Sequence, residues 1–172
     1  TRSSTVSWAQ MCIRDSSEAY HNLEDADLLF DAVKNGAGET VEVTGSNFVP
    51  LEMSTDRTLR ENAFHSYYKS YRQHINTFAA SYSGAVKAAA AEAAARSYPS
   101  SRAMSMAGEN VPVEVYDNLV ATVRKYMPAM HRYVRLRKKM LGVDALHFYD
   151  VYAPLVGDLK KTYSYETAQQ MV

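Results

Sequence analysis

From Leu59 to Val86 apolar residues recur every three or four positions: Leu59, Ala63, Tyr67, Tyr71, Ile75, Phe78, Tyr82 and Val86. A period of 3.6 gathers them on one face of a helix, whereas a strand would scatter them over both of its faces. The pattern runs on into Ala88–Ala95, and Ala has the strongest helix propensity of any residue. Ser54-Thr-Asp56 offers N-caps at the start, and Tyr98-Pro99 ends the run, because the residue before a proline avoids helical backbone. The spacing predicts one long helix, or two with a break near Gln73 or Gly84. This feature commits the chain to a mainly α fold.

The same spacing returns from Val113 to Leu141, through Tyr116, Val120, Val123, Met127, Met130 and Val134. Pro128 lies inside it and predicts a kink or a break, since proline removes a backbone donor and crowds the preceding turn. Gly142 is the expected stop. Between the two long patterns, Ser100-Ser101 caps a short helix through Ala107, and Gly108 and Pro112 mark the next breaks. His147 to Tyr152 is a short aromatic segment, and Tyr163 or Ser164 opens a final helix. Upstream, residues 17–26 suit a short helix. Leu28–Val33 and Thr40–Thr44 read as two strands joined by the turn Asn35-Gly-Ala-Gly38, so a β-hairpin is expected near the N-terminus. Gly45-Ser-Asn47 and Pro50 read as chain breaks. Met11-Cys-Ile-Arg-Asp-Ser16 has the look of a translated adapter, so residues 1–16 are set aside as a non-native or disordered tail.

Composition excludes more than it assigns. Lys plus Arg and Asp plus Glu each number 19, so no net field draws the chain to nucleic acid or an anionic membrane. The longest apolar runs are too short to span a bilayer. The single cysteine, Cys12, cannot make an internal disulfide, and nothing points to an oxidising compartment.

Catalytic signatures are absent. The five histidines, His21, His65, His74, His131 and His147, show no pair four residues apart and no HExxH, the spacing that sets two zinc ligands and a base on one helix face. There is no GxSxG, no CxxC and no phosphate-cradling loop; the Asn35–Gly38 turn lacks the following helix and lysine such a loop needs. Glu24, Asp25 and Asp27 read as helix-end carboxylates. The basic run Arg132-Tyr-Val-Arg-Leu-Arg-Lys-Lys139 reads as the solvated outer face of a helix rather than a nucleic-acid site. Tyr67, Tyr68 and Tyr71 read as core packing rather than ligand contacts.

Taken in order, several of these runs resemble oligoendopeptidase F, a zinc metallopeptidase family of the M3, thimet-oligopeptidase-like type. The resemblance is carried by Asp25-Ala-Asp-Leu28, Arg60, Ala63-Phe64, Tyr67 to Tyr71 and Asn76-Thr-Phe-Ala79. It continues through Val115-Tyr-Asp-Asn-Leu119, His131-Arg-Tyr133, Leu136 to Lys139, Leu146-His147, Tyr149-Asp150 and Tyr152 with Pro154-Leu-Val156. It covers about residues 17–172. It implies long antiparallel helices with one small β-hairpin, as part of a larger helical, cytoplasmic peptidase that admits short oligopeptides to a deep channel. It implies a zinc held by HExxH and a later glutamate, with the motif's own glutamate as base. That motif has no counterpart here, so no catalytic or metal-ligating residue is carried over, substrate-binding residues stay unassigned, and zinc is expected in the parent enzyme but not in this piece. The expected division is residues 17–53 as the end of an N-terminal domain and residues 54–172 as the first helices of the peptidase domain. The piece alone is expected to be inactive, and to be marginally stable because its helices leave apolar faces uncovered. The competing readings are a non-enzymatic helical interaction module and, less favoured, an RNA-binding helical protein using Arg132–Lys139; oligomeric state is left open.

Overall fold

The computed structural model describes residues 18–157 and 163–171. The expected tail over residues 1–16 lies outside them. The chain is helical from residue 18 into a π turn at Leu23–Asp27. There follow β1 (Val33–Lys34), β2 (Thr40–Val41), α1 (Phe48–Glu52), α2 (Arg57–Gln73), α3 (Ile75–Ala95), α4 (Ser101–Gly108), α5 (Val113–Leu141), a 3-10 turn at Phe148–Asp150 and α6 (Tyr165–Met171). The expected mainly α chain with one small hairpin is what forms. The strands pair antiparallel, Val33 with Val41 and Lys34 with Thr40.

The two strands are much shorter than the alternation suggests, and the reason is where their polar groups go. Leu28–Val33 runs alongside α2, and helix side chains satisfy its carbonyls. Ser66 Oγ donates to Asp31 O at 2.6 Å, Ser70 Oγ donates to Leu29 O, and Asn62 Nδ2 donates to Lys34 O at 2.8 Å. A backbone group bonded to a helix needs no partner strand. On the other side, Thr44 N donates to Asn47 Oδ1 at 2.8 Å, which turns the chain into α1 after two paired residues. Pro50, an expected break, sits inside α1. In the first turn of a helix the missing N–H of proline has no intrahelical acceptor to lose.

The long periodic run divides at His74, near Gln73 and not at Gly84, which lies within α3. No break occurs at Pro128. α5 runs unbroken through it, although the carbonyl of Arg124 cannot receive its usual bond from position 128. Gly142 ends α5 with φ of 65°, as expected of the left-handed stop. Ser100 caps α4 by accepting from Ala103 N at 3.1 Å, and Ser164 accepts from Thr167 N at the start of α6.

Asp56 joins hairpin to helix. Its Oδ1 accepts from Thr58 N at 2.9 Å as the N-cap of α2, while its Oδ2 accepts from Gly36 N at 2.6 Å in the hairpin turn. A Cβ at Gly36 would stand 3.0 Å from Asp56 Oδ1, so the approach uses the bare glycine. Leu59 N also donates to Oδ1, at 3.3 Å, and the three amides hold the Asp56 carboxyl below its usual range, the Gly36 bond contributing most. Replacing Asp56 by Ala should remove the ties to both the hairpin and the helix and lower the midpoint of urea denaturation. An unchanged midpoint would mean that the hairpin docks by other contacts.

Apolar burial is concentrated around α2 and the 3-10 turn, with Leu23, Leu28, Val43, Ala63, Tyr149 and Ala153 inside. Far along α5 the expected uncovered faces appear. Every residue from Glu114 to Leu136 except Val120 is exposed, among them Leu119, Val123, Tyr126 and Met130.

Candidate functional site

The first turn of α2 carries Arg57 and Arg60, three residues apart and therefore on one face. Cations at the positive end of a helix dipole are misplaced unless an anion holds them. Here that anion is Asp150, wholly buried. Its Oδ1 accepts from Arg57 Nε at 3.1 Å and Arg60 Nη2 at 2.9 Å; its Oδ2 accepts from Arg57 Nη2 at 3.1 Å and His147 N at 3.0 Å. The last bond is half of a capping box over the turn Phe148–Asp150, and it orients the carboxylate independently of the arginines. Arg60 is further spent on Ser54 O at 2.8 Å and Tyr149 O at 3.0 Å. Burial pushes the Asp150 carboxyl up, but the Arg57, Arg60 and His147 bonds outweigh it and hold it below the usual range.

Arg137 closes the cluster from α5. Its Nη2 donates to Asp150 O at 2.8 Å and Ala153 O at 2.7 Å. The expectation of a solvated face along the whole basic run is corrected at this residue. Arg137 is 8 % exposed, because two carbonyls of the following turn need its donors. Arg132, Arg135, Lys138 and Lys139 are exposed as expected.

Beside this network lies a cleft of about 450 Å³ walled by Phe48, Phe64, Tyr68, Phe148, Val151 and Tyr152, with Glu52 at its lining. Glu52 ends α1 and is 2 % exposed, and no hydrogen bond reaches its Oε1. Burial pushes its carboxyl up to about 7; Arg60 lowers it and Asp150 raises it by lesser amounts. The tyrosine stripe divides here. Tyr67 stacks on Phe48 at 3.9 Å and Tyr71 on Phe78 at 5.3 Å, as packing residues, whereas Tyr68 is exposed at the cleft wall.

His74 Nδ1 pairs with Ser70 O, His65 and His147 both pack against the Tyr149 ring, and His21 lies 4.0 Å from Asp25. Glu24 accepts from Tyr71 Oη at 3.2 Å, which ties the first helical segment to α2, and Asp25 and Asp27 are exposed. Among the described residues no group of three or more His, Cys, Asp or Glu is placed to hold a metal. The network can position chain segments and bury charge; it carries no nucleophile.

The model of Peptidase family M3 matches residues 51–172, the part that contains the whole arginine–aspartate network and the cleft save Phe48. The chain belongs to peptidase family M3. This M3 chain is 40% identical to oligopeptidase PepF of Bacillus subtilis, over 94% of its own length and 24% of the relative's. It is 39% identical to group B oligopeptidase PepB of Streptococcus agalactiae, over 89% and 25%. Among solved structures it superposes on oligoendopeptidase-F from Enterococcus faecium with a TM-score of 0.85 and 38% identity, covering 89% of this chain and 29% of that one. The M3 chain thus spans about a quarter of the length of the curated relatives it matches.

Neither Glu52 nor Arg57 stands out in the sequence as a site residue, and Arg60 and Asp150 do so only as marks of family resemblance. For the arginines a signal is present: two cations just inside a helix N-cap require a carboxylate from elsewhere. For Glu52 there is none, since nothing local distinguishes it from a solvated helix-end glutamate.

Proposed function

We propose that this chain is part of a zinc-dependent, cytoplasmic oligoendopeptidase that hydrolyses internal bonds of short peptides. Within it, residues 17–53 close an N-terminal domain, and residues 54–172 supply scaffold and channel wall of the peptidase domain. The observation that carries this reading is the family match over 51–172 together with similarity to oligopeptidases along nearly the whole chain. No described residue is assigned to the zinc, whose chemistry would be to polarise the scissile carbonyl and activate water. What this chain contributes is position. The Arg57–Arg60–Asp150–Arg137 network locks the start of α2, the end of α5 and the aromatic turn together, and small displacements of such supports cost activity steeply. No helix among the described residues is long and apolar enough to cross a membrane.

A chimera tests this. The homologous quarter of Bacillus subtilis PepF is replaced by this chain, and cleavage of an internally quenched short peptide is followed with and without a chelator. Chelator-sensitive cleavage is expected. A folded chimera with no cleavage, as judged by circular dichroism, would refute the reading.

A further inference from the structure

The cleft beside the network holds a carboxyl that no contact accounts for. Glu52 is buried almost completely, its Oε1 has no donor among the described residues, and Arg60, the cation that acts on it, is committed to Asp150, Ser54 O and Tyr149 O. A buried acceptor left without a partner is costly, so such groups persist where something satisfies them. The surrounding wall says what that something is. Phe48, Phe64, Tyr68, Phe148 and Tyr152 present aromatic surface, and the outermost of them, Phe148, is 80 % exposed. Aromatic faces attract cations, and an apolar wall suits an aliphatic stem. A purely apolar occupant would leave Glu52 orphaned, and an acidic one would repel it.

We infer that this cleft is a binding site for the arginine or lysine side chain of an oligopeptide, its stem laid on the aromatic wall and its cationic head directed to Glu52. The site rests on the peptidase reading only for the source of the ligand. It would select peptides by a basic residue away from the bond being cut. The cleft volume of about 450 Å³ accommodates one long side chain and adjoining backbone.

The test measures binding to this 172-residue chain and no cleavage, so its failure leaves the peptidase reading standing and the converse also holds. A capped Ala-Ala-Arg-Ala-Ala peptide is titrated into labelled chain and followed by NMR, beside the same peptide with citrulline, which keeps the shape and loses the charge. Saturable shifts at Tyr68, Phe148 and Tyr152 are expected, with affinity at least about tenfold weaker for citrulline. Glu52→Gln should weaken the arginine peptide by a similar factor with far-UV circular dichroism unchanged, and Phe148→Ala, at an exposed position, should weaken it too. The inference is overturned if the wild-type chain shows no saturable shift at those residues. It is also overturned by equal affinity for arginine and citrulline, an arm that needs no variant, or by a folded Glu52→Gln that binds as the wild type does.

Discussion

Replacing Asp150 by Asn should lower the stability of the chain by about 3–5 kcal/mol, because it strands the buried Arg60 guanidinium, and the half-exposed one of Arg57, without their counter-charge. The geometry is what makes the effect large. Asp150 is 0 % exposed and accepts four bonds, three from Arg57 and Arg60 and one from the His147 amide. An amide can replace neither the charge nor the second acceptor oxygen. The loss is comparable with the whole stability of a small domain, so the variant should lose its cooperative urea transition, followed by circular dichroism. A fall of less than about 1 kcal/mol would show that solvent screens the network as it screens a surface pair. The pH dependence comes from the lowered Asp150 pKa. Its stabilisation is fully present above the ordinary value of 3.8 and is lost as pH falls through the lower value of the folded chain. The variant should lack that part of the acid unfolding.

Glu52→Gln should act in the other direction, and only at higher pH. The folded chain holds the Glu52 proton up to about pH 7, whereas the unfolded chain releases it near 4.5. Glu52 therefore favours folding below about pH 4.5, loses that contribution as pH rises through 7, and above 7 remains a fixed penalty. The gap between 4.5 and about 7 corresponds to about 3 kcal/mol, the upper bound of the gain at pH 8. Near pH 5 the two chains should differ little. Urea midpoints at pH 5 and pH 8 decide it, and a variant that is equally or less stable at pH 8 would mean that Glu52 has found a donor. A residue that costs stability at its working pH and binds a cation in exchange is the pattern expected of a functional position.

Much of the helical layout is legible in the sequence. The 3.6 period places α2, α3 and α5, and Ser100 and Gly142 mark ends that the structure keeps, because caps act through bonds within four residues of themselves. Where expectation and structure part, the deciding partner is mostly distant in sequence. The strand at Leu28–Val33 shrinks because Ser66 and Ser70, some forty residues on, take its carbonyls. Arg137 leaves the solvated face because Asp150 and Ala153 need a donor. Of the kink or break expected at Pro128, the break does not occur, since one missing bond in a helix of 29 residues leaves the flanking ladder to hold it.

The sequence alone determined that this is a helical chain of the oligoendopeptidase F type, with no HExxH among its residues. Periodicity, capping and short motifs are local quantities, written in consecutive residues. Only the tertiary structure decided that Arg57, Arg60 and Arg137 converge on one buried aspartate, and that Glu52 is left with no donor at an aromatic wall. Those outcomes depend on which groups leave water together, and that is fixed by packing between segments up to 93 residues apart rather than by any segment's own preference.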